Sequence, residues 1–365
     1  MTGLRGFAAL SVLLVHVSSI SDFPWIGFHT YGPTSLFVLS GFLLFKAWSR
    51  WMVGSGPRPS IGQFIRRRLW RIFPPYLVFI LVAALVYPAS RPASSLEWVQ
   101  YATLTNIYVL NGLRPGAEQT WSLGTELSWY ALLPIAGLCL GWVVRRFSLP
   151  SLPVIASAFA ASVGVVLVTR WFVFVHTDDL TDKLLVPMWL PSHLAAFIGG
   201  AAVAHLTVLA EQGRPARAHS WLIRWSSLAV AFALCAGLVA SSRLGGPWAF
   251  VAPTPTEHSI RTGFTTVMAL TLLAAVAGAT PSATVARIFS QRWLVAVGRW
   301  SYGIFLWHLI VIRLLEPWLS PMRGTVGWLL LLSATFAISA VLGAASYRFI
   351  EVPSMKAAKT PPLRW

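Results

Sequence analysis

The sequence predicts an all-α, polytopic membrane protein of about ten transmembrane helices. Of its 365 residues, 56% are hydrophobic and 11% are charged, whereas a soluble domain carries about 25% charged residues. Many of the 19 tryptophans stand where hydrophobic runs end, which is typical of side chains at the membrane–water interface. This composition excludes a water-soluble fold, because such a fold could not cover so much apolar surface.

Ten apolar runs have lengths near the 20 residues that cross a hydrocarbon core of roughly 30 Å. The shorter apolar segment 97–111 is expected to lie at the interface or to re-enter the membrane. We predict one transmembrane domain over residues 1–350 and a short cytoplasmic tail over 351–365. The predicted spans are 4–21, 33–50, 72–89, 121–144, 151–175, 187–210, 221–241, 262–280, 295–315 and 325–347.

The distribution of Lys and Arg predicts the orientation in the membrane. With the N-terminus in the cytoplasm, 20 of the 28 basic residues fall in inner segments and 8 in outer segments. Both termini are therefore expected in the cytoplasm. The basic residues lie in short loops and form no single patch, so the net charge of +17 does not indicate a nucleic-acid surface. Cys139 and Cys235 each lie in an apolar run and predict neither a disulfide framework nor a metal cluster.

An ionisable residue inside a membrane span is costly and usually functional, and His16 and Glu126 are the main candidates of this kind. His16 follows Arg5 by eleven residues, about 16 Å along a helix, which places it in the outer half of the bilayer. Glu126 lies shortly after the start of the fourth span and is expected at a similar depth. We predict that its carboxylate fixes the imidazole tautomer, leaving the other ring nitrogen to accept a proton. The structural alternative is that His16 bonds a backbone carbonyl and Glu126 packs near the interface.

A basic cluster precedes the third span. Arg68 and Arg71 are i, i+3 neighbours and share one helix face. Two guanidinium groups at the cytoplasmic mouth of a span suit phosphates, which arginine binds through paired hydrogen bonds. The alternative is topological, since basic residues anchor almost every inner loop and lipid headgroups would pair with them.

Other polar positions give weaker signals. Ser40-Gly41 in the second span favours close helix packing, and His308 is expected as a second polar group in the same cavity. The sequence predicts that His193 and His205 are hydrogen-bonded core or interface residues. The outer-loop acids are expected to form a solvated face; they are Asp178, Asp179 and Asp182.

Five stretches in order along the chain resemble the acyltransferase-3 family, integral-membrane enzymes that O-acylate sugars, lipids, envelope polymers and some antibiotics. The chain departs from the family pattern in two places. It begins almost at the first motif, without the usual short leader, and it has Gly32-Pro33-Thr34-Ser35 where the family often shows an acidic residue. The matching stretches are 3–10 leading to His16, 36–43, 68–74, 120–126 continuing to Tyr130, and 301–308.

The resemblance implies transfer of an acyl group, commonly acetyl, from cytoplasmic acyl-CoA to a hydroxyl acceptor. His16 is expected to act as the base and Glu126 to support the imidazolium that forms. No metal is expected, and a covalent acyl-Ser or acyl-His intermediate remains an open variant. The expected donor-phosphate ligands are Arg5, Arg68 and Arg71, and the expected cavity-shaping or oxyanion-stabilising residues are Ser40, Trp121, Ser122, Tyr302 and His308.

The expected partners are membrane lipids, acyl-CoA and a sugar, glycolipid, envelope polymer or natural product. An excess of Arg over Lys, 24 to 4, hints at a GC-rich bacterial source, and the expected location is the bacterial cytoplasmic membrane. A rival interpretation is a proton-coupled transporter or flippase of an amphipathic molecule. The sequence shows no paired Gly/Pro-broken half-helices to support that interpretation. A structural partner in an envelope complex is a third alternative.

Overall fold

The computed structural model describes residues 1–27, 31–109, 112–176, 186–214, 226–248, 254–280, 283–319 and 324–358. The predicted acidic outer loop containing Asp178, Asp179 and Asp182 lies outside the described residues.

Helices dominate the described chain and confirm the predicted all-α class. Short 3-10 turns connect several of them, at Pro88–Ser90, Asn106–Tyr108, Glu118–Thr120, Val186–Met188 and Arg243–Gly245. The helices are α1 (Thr2–Ser19), α2 (Pro24–Gly27), α3 (Tyr31–Met52), α4 (Ile61–Val86), α5 (Ser95–Thr103), α6 (Trp121–Arg146), α7 (Ser151–His176), α8 (Leu190–Glu211), α9 (Ser226–Ser241), α10 (Pro255–Gly278), α11 (Thr284–Phe289), α12 (Arg292–Leu319), α13 (Gly324–Ser346) and α14 (Val352–Ala357).

Eight helical segments of the described chain are long and apolar enough to cross a membrane. They correspond to eight of the ten predicted spans. The second and seventh predicted spans are present as α3, with 22 residues, and α9, with 16 described residues. The interfacial segment predicted at 97–111 contains α5 and the 3-10 turn after it. The chain is therefore a polytopic membrane protein, as its sequence predicts.

Side-chain caps fix the starts of several helices. The Ser60 hydroxyl accepts a hydrogen bond from the Gln63 amide and starts α4 well before the predicted span at 72. Arg68 and Arg71 consequently lie inside a regular helix, on one face. At the start of α10, Thr254 and Glu257 form a capping box that satisfies two backbone amides.

Small residues allow α3 and α8 to pack closely. A Cβ atom placed on Gly41 would lie 1.9 Å from the Phe197 carbonyl oxygen, and one on Gly200 would lie 2.0 Å from the Val38 carbonyl oxygen. Only glycine permits this approach of two backbones, and the packing role predicted for Gly41 is confirmed.

Two groups of helices meet at this contact. On one side, α1 packs between α3 and α12, while α4 contacts α6 and α12. On the other side, α8 packs against α7 and α10, and α10 packs against α9. The first group encloses the candidate active site, and the second encloses a separate cavity.

The C-terminal part of the described chain continues as helix beyond α13. A π-helical turn, Tyr347–Glu351, leads into α14, and the Arg66 guanidinium of α4 donates hydrogen bonds to the Ala358 carbonyl. Residues 351–358, predicted to be part of a tail, are therefore packed against the helical domain.

Candidate active site

A cavity of about 200 Å³ lies between α1, α3, α4, α6 and α12. Apolar side chains from α3 and α12 close parts of its wall, and polar side chains come from all five helices. The polar lining consists of Arg5, Ser40, Arg68, Arg71, Ser122, Glu126, Tyr130, Ser301 and Tyr302. We call this the arginine cavity.

Three guanidinium groups converge on the arginine cavity from two helices. Arg5 comes from α1, and Arg68 and Arg71 come from α4. None of the three forms an ion pair with any residue that the structure describes. Arg68 lies over the Tyr130 ring, 5.9 Å from its centroid, a cation–π arrangement. Because like charges repel in a confined space, the cavity favours an anionic occupant.

Glu126 belongs to the arginine cavity and is not paired with His16. Its carboxylate accepts hydrogen bonds from the Ser40 hydroxyl at 2.9 Å and from the Tyr130 hydroxyl at 2.7 Å. The pairing predicted between Glu126 and His16 is therefore wrong. Depth along the membrane normal does not determine which way a helix faces. The Glu126 side of α6 faces α3, whereas the His16 side of α1 faces α12.

The partner of His16 is His308 of α12. His308 Nε2 lies 3.2 Å from His16 Nδ1, and the ring centroids are 4.9 Å apart. His16 Nδ1 also lies 2.8 Å from the Val12 carbonyl oxygen, and His308 Nδ1 lies 2.7 Å from the Phe305 carbonyl oxygen. His308 is fully buried, whereas His16 is partly exposed.

These contacts determine the tautomers of the two neutral rings. A carbonyl oxygen only accepts hydrogen bonds, so His308 Nδ1 carries the proton and His308 Nε2 is an acceptor. His16 Nδ1 then donates, shared between the Val12 carbonyl and His308 Nε2. His16 Nε2 is left with a lone pair and makes no hydrogen bond to the described residues. His308 thus holds His16 in a proton-accepting tautomer, which is the role predicted for Glu126.

One aromatic layer separates the imidazole pair from the arginine cavity. Phe305 lines the cavity, and its ring centroid lies 6.0 Å from that of His308. His16 and His308 are not among the residues that line the cavity, which corrects the cavity-lining role predicted for His308. The Arg313 guanidinium and the Glu118 carboxylate form an ion pair, 2.9 Å apart, within electrostatic range of His16.

The remaining predicted cavity residues divide into two groups. Ser40, Ser122 and Tyr302 line the cavity. The Ser122 hydroxyl donates to the Gln119 carbonyl and the Tyr302 hydroxyl to the Ile72 carbonyl, so neither donor is free for an oxyanion. Trp121 lies outside the lining and packs against Phe37 and His193.

Glu351 is a candidate that the sequence analysis did not select. It is 2% exposed, its Oε1 has no hydrogen-bond partner among the described residues, and it lies within electrostatic range of Arg71 and Arg5. The sequence could have indicated Glu351, because it is one of only two acidic residues in the predicted inner segments, where basic residues prevail. The π-helical turn that holds it is not apparent from the sequence.

Two further histidines lie on α8 and differ in their hydrogen bonds. His205 is fully buried, with Nδ1 2.8 Å from the Ser49 hydroxyl and Nε2 2.9 Å from the Ser151 hydroxyl. The prediction that it is a hydrogen-bonded core residue is confirmed. The His193 ring hydrogen-bonds the Pro187 backbone, as the prediction requires. Its Nε2 has no hydrogen-bond partner among the described residues.

Comparison with known proteins decides the family. The model described as an acyltransferase domain, Acyl_transf_3, matches residues 1–344. The chain belongs to the acyltransferase-3 family. The match confirms the family resemblance that the five motif stretches indicated.

Two bacterial relatives agree with this assignment. The acyltransferase is 22% identical over 98% of its length to O-acetyltransferase OatA of Staphylococcus aureus. It is 26% identical over 97% of its length to Peptidoglycan O-acetyltransferase OatA of Listeria monocytogenes. The chain spans 57% and 55% of the length of these relatives. No solved structure matches it.

Proposed function

We propose that this acyltransferase moves an acetyl group from acetyl-CoA to a hydroxyl of a sugar, glycolipid, envelope polymer or natural product. One observation carries the proposal. Three guanidinium groups without ion pairs among the described residues line one cavity, and an imidazole pair with a free acceptor nitrogen lies one aromatic layer beyond it.

The arginine cavity supports the assignment of an acyl-CoA donor. Arg5, Arg68 and Arg71 offer planar donor groups that match phosphate oxygens. Glu126, held by Ser40 and Tyr130, offsets part of this charge without forming an ion pair with any of the three arginines. The phosphates of a CoA thioester would bind near the arginines, and the acyl end would extend toward Phe305.

The imidazole pair supports a direct transfer. His16 Nε2 takes the proton of the acceptor hydroxyl as its oxygen bonds to the acyl carbonyl carbon. The hydrogen bond from His16 Nδ1 to His308 Nε2 strengthens as His16 becomes an imidazolium. The carbon–sulfur bond then breaks, and the CoA thiolate takes the proton from His16. One hydroxyl and one thioester yield one ester and one thiol.

The location proposed is the cytoplasmic membrane of a bacterium. The excess of basic residues in inner segments and the bacterial relatives support it. In this orientation Arg5, Arg68 and Arg71 face the cytoplasm, where acyl-CoA is made, and His16 lies in the outer half. The acceptor would reach the enzyme from the membrane or the outer side.

The test follows label from acetyl-CoA into an ester. The purified full chain is incubated with acetyl-labelled acetyl-CoA and membrane glycolipid extract. The wild type is expected to form a labelled, alkali-labile ester, and His16→Ala to form none while keeping its melting temperature. His176→Ala is the matched control, because His176 also contacts a helix carbonyl, 3.2 Å away, but is exposed.

Full ester formation by His16→Ala would remove this histidine from the mechanism. Ester formation that does not depend on CoA would remove the proposed donor. Proton-driven uptake without any ester product would favour the transporter interpretation.

A further inference from the structure

A second cavity, of about 520 Å³, lies between α7, α8 and α10 and is distinct from the arginine cavity. It opens sideways toward the region of the lipid chains, because the lining side chains Val163, Leu167, Phe264 and Val267 are exposed on the membrane-facing surface. We call it the lateral cavity. A membrane amphiphile can enter such a cavity without crossing the protein.

The lateral cavity contains a buried arginine that pairs with no carboxylate among the described residues. Arg170 is 6% exposed and lines the cavity. Its Nε makes no hydrogen bond with the described residues, and one Nη lies 3.5 Å from the Ser192 carbonyl, at the limit of a hydrogen bond. By contrast, Arg114 pairs with Glu97 and Arg313 with Glu118. A buried charge without a counterion is costly, so an anionic ligand is the expected partner.

Further polar groups lie at the same end of the lateral cavity. His193, whose Nε2 lacks a partner among the described residues, lines it together with Ser192. Thr256 and Ser259 of α10 add hydroxyl groups at i and i+3, on one face of the helix. This end is formed by the last part of α7 and the first turns of α8 and α10, whose N-termini also favour an anion.

The other end of the lateral cavity is apolar. Phe159 lies eleven residues before Arg170 on α7, and Leu270 lies fourteen residues after Thr256 on α10. These separations correspond to about 16 and 21 Å along the helices. The cavity therefore matches a molecule with a polar, anionic head and an apolar chain.

We propose that the lateral cavity binds a membrane amphiphile whose head carries a phosphate and neighbouring hydroxyl groups. Arg170 binds the phosphate oxygens through its guanidinium fork. His193 and the hydroxyl groups of Thr256 and Ser259 hydrogen-bond the rest of the head, and the chain lies along Phe159. A phosphate is favoured over a carboxylate because it presents more acceptor oxygens to this set of donors.

The site shares a wall with the arginine cavity. The His193 ring packs on Phe37, with centroids 5.0 Å apart, and Phe37 lines the arginine cavity. Binding at the lateral cavity is nevertheless independent of acyl transfer, so a binding measurement tests it even where no acceptor is known.

The experiment measures binding of phosphatidylglycerol to the delipidated full chain by native mass spectrometry, with the melting temperature as a second readout. Arg170→Gln is expected to weaken binding by about 10- to 100-fold, the loss typical of a charge-assisted hydrogen bond. Arg243→Gln is the matched control, since Arg243 is an exposed arginine on the turn beside α10 and stacks on Trp248. It is expected to bind like the wild type.

A second variant tests the cavity without altering its charge. A Cβ atom at Gly263, which lines the cavity, would meet no atom within 4 Å. Gly263→Leu should therefore fold normally, fill part of the cavity and weaken phosphatidylglycerol binding.

The lipid-free Arg170→Gln protein should melt no lower than the wild type, because the substitution removes an unpaired buried charge.

Three results would overturn the proposal. The first is wild-type binding of phosphatidylglycerol by both Arg170→Gln and Gly263→Leu. The second is that oleate binds as tightly as phosphatidylglycerol, which would show that the cavity recognises a carboxylate head group as well as a phosphate. The third is a large loss of melting temperature in lipid-free Arg170→Gln, which would show that the guanidinium stabilises the fold through a protein partner.

Discussion

Replacing Glu126 with glutamine tests the electrostatics of the arginine cavity, because it should tighten donor binding. Glutamine keeps the shape of the side chain and an oxygen that can accept from Ser40 and Tyr130. It removes one negative charge from a cavity that contains three guanidinium groups. If the cavity binds the phosphates of CoA, the remaining positive charge will attract them more strongly. A replacement that merely disturbed the fold would weaken binding instead.

The size of the effect follows from the cavity. A volume of 200 Å³ corresponds to a sphere about 7 Å across, so a phosphate inside lies about 7 Å or less from the carboxylate. Two unit charges at this distance interact by about 2.4 kcal/mol at an effective dielectric constant of 20 and by about 0.6 kcal/mol in bulk water. Glu126→Gln should therefore lower the dissociation constant of acetyl-CoA by about 3- to 60-fold. Arg71→Gln should raise it by a similar factor.

The assay is equilibrium binding of acetyl-CoA to the purified protein by isothermal titration calorimetry at low and high salt. Glu211→Gln is the matched control, because Glu211 pairs with Lys46 and Arg50 outside the cavity and its replacement changes the net charge equally. We expect no change in affinity for this control. Weaker or unchanged binding by Glu126→Gln, together with unchanged binding by Arg71→Gln, would refute the electrostatic assignment.

Three further predictions concern other parts of the molecule. His308→Leu removes the acceptor of the His16 Nδ1 hydrogen bond and should lower kcat by about 10- to 100-fold without changing the donor KM, measured by steady-state kinetics. An unchanged kcat would exclude the pairing from catalysis. Gly41→Ala places a Cβ atom 1.9 Å from a backbone oxygen and should cost about 1–3 kcal/mol of stability, measured as a lower melting temperature. Gly62 has open space around it, so Gly62→Ala should leave the melting temperature unchanged. The amide of Ala93 and the guanidinium of Arg114 lower the pKa of Glu97 from 4.5. The contribution of ionised Glu97 to stability is therefore present above pH 4.5 and is lost as the pH falls through the lowered pKa. Hydrogen exchange of α5 should show this pH dependence, and Glu97→Gln should abolish it.

The membrane fold was predictable because its main signal is local. Runs of apolar residues near the length of the hydrocarbon core identify spans whatever their neighbours are. The predicted span begins eleven residues after the start of α4, since the first turns of this helix are basic and amphipathic and are fixed by the Ser60 cap. The apolar segment 97–111 was predicted to be interfacial or re-entrant because it is too short to cross the membrane.

The candidate site was predictable in part. The sequence analysis assigned Arg5, Arg68 and Arg71 to one ligand, and the three side chains line one cavity. The wrong pairing of Glu126 with His16 arose because residue counting gives depth and not the direction in which a helix faces. That direction is set by packing between distant helices, as where Ser40 contacts Glu126. A single sequence carries no periodic signal for such contacts.

The most direct test of the account separates binding from transfer in one set of preparations. Acetyl-CoA binding and single-turnover ester formation at saturating donor are measured for the wild type, His16→Ala and the Arg68→Gln, Arg71→Gln double variant. We expect His16→Ala to bind acetyl-CoA like the wild type and to transfer nothing. The double variant should bind acetyl-CoA weakly yet transfer the acetyl group at a near wild-type rate once saturated. Wild-type affinity for acetyl-CoA in the double variant, or rapid transfer by His16→Ala, would contradict the division of labour between the arginine cavity and the imidazole pair.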